Sequence, residues 1–229
     1  MNIKLKFLSS ITFIAILAGC GGGGGSNATA TAYYKDSSVE GVEYHCGSQT
    51  GVTNKDGAFS FEVGQNCEMK LADLTLRNVS ANELFDGKII VEDNPTVAAF
   101  LQSLDVDGDP DNGITITKEE MQHLKSIIKE ERINHIPKDS ELEVVVEDMH
   151  HKSDSYHGHA VSEKVAIEHV NKHKLEYEKH NQEIEKEHHK NDEHNNGGGA
   201  NGSANGGAGK DKEHGHGKDE EHGKGGHRM

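Results

Sequence analysis

Between Asp105 and Gly113 the chain reads Asp-Val-Asp-Gly-Asp-Pro-Asp-Asn-Gly, with a carboxylate at every second position. Charges so placed repel one another wherever they converge, unless a cation joins them. A hard ion that takes six to eight oxygens at about 2.3–2.6 Å, calcium first, meets that need. The alternative is an acidic, solvated turn. The run also parts two unlike stretches of sequence. Before it, short segments alternate apolar and polar residues; after it, the apolar spacing becomes three and four. The fold class expected is α+β: a small disulfide-linked antiparallel β-sandwich, then a helical segment around the acidic loop, then a long charged helix and a disordered C-terminal tail.

Composition limits how much of the chain can pack. Of 229 residues, 32% are hydrophobic and 5% aromatic, and the formal net charge is −15. About 100–120 packed residues with tails is the expectation. Residues 27–149 hold 24 acidic against 10 basic side chains, so the acidity belongs to the packed part. Binding to nucleic-acid phosphates wants clustered Lys and Arg and is not expected.

At the N-terminus Lys4 and Lys6 precede an apolar run, Phe7 to Leu17, too short for a spanning helix. It ends in Leu17-Ala18-Gly19-Cys20. This resembles the lipobox of bacterial lipoprotein signal peptides. The resemblance implies cleavage after residue 19, acylation of Cys20, and a membrane anchor at the outer membrane or cell surface. A plain signal peptide with a stray cysteine is the alternative. Residues 20–32, rich in Gly, Ser, Asn, Ala and Thr, read as a flexible tether.

Two cysteines remain, Cys46 and Cys67. An even pair in an exported chain reads as a disulfide, with two free thiols as the alternative. Around them Val42, Tyr44 and Cys46 alternate with polar residues, as do Phe59, Phe61 and Val63, with Asp56-Gly57 as a tight turn. Further strands are expected at Met69–Leu71, Leu74–Leu76 and Ile89–Val91. The stretch Gly51-Val-Thr-Asn-Lys-Asp-Gly-Ala-Phe-Ser-Phe61 is similar to transthyretin-like or carboxypeptidase-regulatory-like β-sandwiches. That resemblance implies a non-catalytic module, placed at 33–93.

The segment 94–136 reads as helix, loop and helix. Asn94-Pro95 is a start signal, and Thr117-Lys-Glu-Glu120 is a capping box. Together with the acidic run this looks like an EF-hand, with an irregular register. The implied calcium ligands are Asp107, Asp109, Asp111, Gly113 or its neighbour through a carbonyl, and Glu119 as the bidentate group once one inserted residue is allowed. The run also resembles thrombospondin-type calcium loops, in which Asp105 joins the ligands. Residues 137–161 read as a linker with a short strand at Leu142–Val146, although the flanking glutamates also permit helix.

From 162 to 194 a charged helix is expected, mostly solvated, with a weak seam of Ala166, Val170, His173, Tyr177, His180 and Ile184. His169 and His173 stand one turn apart, a spacing that suits a metal. Residues 195–229 read as a disordered tail whose His214, His216, His222 and His227 can chelate Zn, Ni or Cu, or merely solvate it. No nucleophile elbow, HExxH zinc motif or phosphate loop is present, and an enzyme is not expected. The functional expectation is a lipid-anchored, calcium-binding surface module whose partner is a surface protein or a glycan. The alternative is transition-metal capture through the histidine-rich arm.

Overall fold

The chain falls into two compact units, Met1–Lys190 and Asn191–Met229. The computed structural model describes residues 28–195, with side chains to 188. Of the second unit this covers only the end of one helix, and the fold is that of the first. Cys20, the tether to residue 27 and the tail histidines lie outside the described residues.

The first strand, β1 (Thr29–Lys35), begins inside the stretch expected to be tether. Its small residues alternate, so that Ala32 and Tyr34 are fully buried. It pairs antiparallel with β5 (Ala58–Glu62) and parallel with β8 (Ile89–Val91). A second, wholly antiparallel sheet has the order β4 (Gln49–Val52), β3 (Glu43–Cys46), β6 (Cys67–Leu71), β7 (Leu74–Val79). Cys46 and Cys67 face each other across β3 and β6 and are bonded. A third, two-residue pair joins β2 (Val39–Glu40) to β9 (Ile114–Thr115) in parallel. That pair fastens the end of the acidic loop to the β-region. Gly41, at φ +99°, lets the chain pass so close that a Cβ there would lie 2.1 Å from the Ile116 carbonyl oxygen.

Helix α1 (Pro95–Ser103) starts as expected: the Asn94 side chain accepts from the Thr96 and Val97 amides, and Pro95 takes the first helical position. Helix α2 (Lys118–Glu130) opens on the Thr117–Glu120 capping box. The residues expected to hold a short strand are instead α3 (Asp139–Lys152). Three adjacent valines favour a strand locally, but Leu142, Val145, Val146 and Met149 recur at helical spacing and all are buried. Packing on that face outweighs the β-propensity of the run. Acidic residues in the first turn of α3 and His150, His151 and Lys152 in its last turn suit the helix dipole.

The long helix α4 (Glu163–Asn195) is less solvated than its charge suggests. Ala166 and Val170 are fully buried, and His169 nearly so. Further along, the Asn181 amide accepts from the Ile89 N–H and donates to the Ile89 carbonyl, both at 2.8 Å. Strands and helices share one core, which runs from Ala32 to Val170.

Candidate metal centre

The acidic loop leaves α1 with Asp105, whose side chain is wholly buried. Its Oδ1 accepts from the Thr115 amide at 2.8 Å, while Oδ2 has no hydrogen-bond partner. Burial, reinforced by the neighbouring Asp107 charge, pushes the Asp105 carboxyl up to about 7. Asp107 moves the other way: the Asn112 amide, donating to Oδ2 at 3.0 Å, and the Asp109 N–H, donating to Oδ1, favour its ionised form. Asp109 accepts from the Asp111 amide. Each side chain thus folds back on its own loop. Gly113 closes the short turn Pro110–Asn112 at φ +117°.

Two of the expected calcium ligands are turned elsewhere. Glu119 is exposed, with its carboxylate 3.7 Å from His123, and Glu120 beside it is the buried acid. The Asp111 side chain reaches α4, where Lys172 Nζ lies at 3.0 Å and His169 Nε2 at 3.2 Å from its Oδ1. The six expected groups are therefore not gathered around one point.

Among the described residues, ligand atoms of three His, Cys, Asp or Glu side chains come within 4.8 Å of one another at Asp111, His169 and His173. The architecture beneath them is specific. Asp36, fully buried just after β1, accepts from His169 Nδ1 at 2.8 Å through Oδ1. Its Oδ2 accepts from the Gln102 side chain of α1 at 2.7 Å, and Gln102 also donates to the Ala166 carbonyl of α4. A carboxylate can only accept, so the His169 proton sits on Nδ1 and Nε2 faces Asp111. That Nε2 is buried, stands 3.2 Å from Asp111 Oδ1, and makes no hydrogen bond. Asp36 raises the pKa of His169 above the usual imidazole value, so at low pH a second proton occupies the Nε2 position. A metal would compete with that proton.

The Asp111–His169 distance fits such an ion. Two ligands each about 2.0–2.1 Å from a tetrahedral ion stand roughly 3.3 Å apart, close to the observed 3.2 Å. A ligating histidine whose other ring nitrogen donates to a carboxylate is the usual outer arrangement around zinc. His173 follows one helical turn later, its ring centroid 5.8 Å from that of His169, and it stacks on Tyr177. Burial holds the Tyr177 hydroxyl up at about 12, so it stays neutral. Ser37 donates to the Pro110 carbonyl at 2.8 Å, which fixes the Asp111 turn beside Asp36. A cleft of about 230 Å³ opens along the centre, lined by Asp109, Asp111, His159, His169 and Lys172 among others.

The spacing of His169 and His173 is legible in the sequence, but their partner is not. Asp111 reads there as one member of the acidic loop. Asp36 and Gln102 carry no local signal, because they meet His169 only in the folded chain. No protein-family model, no curated protein and no solved structure matches this chain.

Proposed function

We propose that the protein binds a divalent transition-metal ion, of the Zn, Ni or Cu kind, through Asp111, His169 and His173, as a capture or buffering protein of the cell envelope. One observation carries the reading: a buried histidine whose Nδ1 is held by a buried carboxylate and whose Nε2, without a hydrogen bond, stands 3.2 Å from a second carboxylate. The donor set, two imidazoles and one carboxylate, suits borderline ions better than calcium. The lipobox-like Leu17–Cys20 supports the envelope location and a lipid anchor. On this reading the metal chemistry belongs to α4, with the tail as an auxiliary chelator.

Thermal melts of the full chain in buffered zinc and in chelator test this. An ion that binds only the folded state raises the melting temperature by mass action, whereas chelation by a tail that binds equally before and after unfolding cancels. Zinc should raise the melting temperature of the wild type and leave His169→Ala unmoved. Equal zinc-dependent rises in both proteins would place the site elsewhere.

The Asp105 carboxylate favours a second reading, in which calcium also binds and organises the loop of a surface-binding module. A buried acid with an unpartnered oxygen beside another acid is what a hard cation relieves. Calcium should then raise the melting temperature of His169→Ala as it does that of the wild type. Its failure to move either protein counts against this reading.

A further inference from the structure

Lys172 lies between the two histidines in sequence and next to His173, on the edge of the α4 face that carries them. Its Nζ is 3.0 Å from Asp111 Oδ1, the same oxygen that stands 3.2 Å from His169 Nε2. It donates to that oxygen, so its charge lies directly against the carboxylate that a metal would use. The ammonium therefore already does, from outside, part of what a bound cation would do from within.

We propose that Lys172 is a resident counter-cation of the Asp111–His169–His173 centre, which a metal must displace and which thereby sets the concentration at which the site fills. The inference rests on the metal-binding reading above. The geometry supports displacement. An ion shared by Asp111 Oδ1 and His169 Nε2 would share that oxygen with the Lys172 ammonium, and two like charges so close repel. The lysine can leave at little cost, because its side chain is 57% exposed and an exposed ion pair contributes little to stability. It also lines the cleft beside the centre, so the departing ammonium moves into solvent. His169 has no such freedom: Asp36, Gln102 and burial fix it. The centre thus combines one rigid ligand with one carboxylate that is shielded until metal arrives.

Removing the lysine charge should then improve metal binding, the opposite of what loss of a ligand does. The experiment is a zinc titration of full-length wild type, Lys172→Met, Lys172→Arg and His169→Ala, reading the melting temperature against buffered free zinc. Lys172→Met should show the same zinc-induced rise at about three- to tenfold lower free zinc than wild type. Lys172→Arg, which keeps the charge, should stay near wild type. The gap should narrow in high salt, where exposed charges are screened. A Lys172→Met protein that needs as much free zinc as wild type, or more, for the same rise, with His169→Ala still inert, overturns the counter-cation role and leaves the metal site standing. A His169→Ala protein that responds like wild type removes both. Lys172→Gln, also uncharged, repeats the test should the methionine variant melt abnormally without metal.

Discussion

Replacing Asp105 by Asn tests how the loop bears a buried charge. In the folded protein this carboxyl titrates near 7, against 3.8 for an unperturbed aspartate. The folded state therefore holds the proton more tightly than the unfolded chain. Below about pH 4 both states are protonated and nothing is lost. As pH rises towards 7 the unfolded chain ionises first, and stability falls by about 1.36 kcal/mol per pH unit. Above that range the loss levels off at on the order of 4 kcal/mol, the upper limit of what the substitution can recover. Asparagine keeps an oxygen for the Thr115 amide and turns an N–H₂ towards the position of the unpartnered Oδ2. Urea denaturation in chelator, from about pH 3 to 8.5, should show the two proteins equal at the acid end. At pH 8 the variant should be about 2–4 kcal/mol more stable. Excess calcium should then raise the wild type and not the variant, closing the gap. A stability difference that does not change with pH, or a variant weaker than wild type at pH 8 in chelator, would refute the reasoning.

Asp36→Asn should weaken zinc binding about 10- to 100-fold, since it loosens the ring that presents Nε2; dialysis against buffered zinc with metal analysis, compared with His169→Ala to subtract the tail, measures it. Reduction of Cys46–Cys67, whose sequence separation is 21, should cost about 3 kcal/mol in urea denaturation. Gly41→Ala should be destabilising by more than about 3 kcal/mol, because the added Cβ meets the Ile116 carbonyl where no side chain can yield; failure of the variant to lose thermal stability would mean that the β2–β9 junction relaxes. Cys20→Ser should abolish incorporation of labelled fatty acid, and retained label would exclude this cysteine as the anchor.

The sequence speaks clearly wherever structure is written locally. The alternation around Tyr44 and Phe59, the Asn94-Pro95 start, the capping box at Thr117 and the cysteine pair are short-range patterns, and each reappears in the fold, except that the alternation from Phe59 stops at Phe61, beyond which Glu62 is buried and Val63 exposed. Strand β1 is hidden because Thr29-Ala-Thr-Ala has the composition of a linker and becomes a strand only by pairing with β5. Helix α3 is masked because its adjacent valines signal a strand more strongly than the Leu142–Met149 spacing signals a helix. In the candidate centre the helical pair His169 and His173 is visible at once. Asp36 stands 133 positions from His169, and no periodicity reaches that far. Asp111 is visible as an acid but not in its company, since a run of aspartates does not say which of them turns outward.

The Asn181 side chain has a consequence for how copies of this protein behave when crowded. Strand β8 is one of the two edge strands of its sheet, and its outward-facing backbone groups are among those to which another chain could add. Asn181 takes both the N–H and the carbonyl of Ile89, and Arg77 donates to the next outward carbonyl, that of Val91, at 2.9 Å. An amide has the same donor and acceptor as a peptide unit, so the helix supplies a one-residue imitation of a neighbouring strand. It satisfies the edge at Ile89 without offering a new one. Addition of another strand at Ile89 is thereby blocked, and the residue that blocks it is lodged in the same helix that carries the candidate metal ligands.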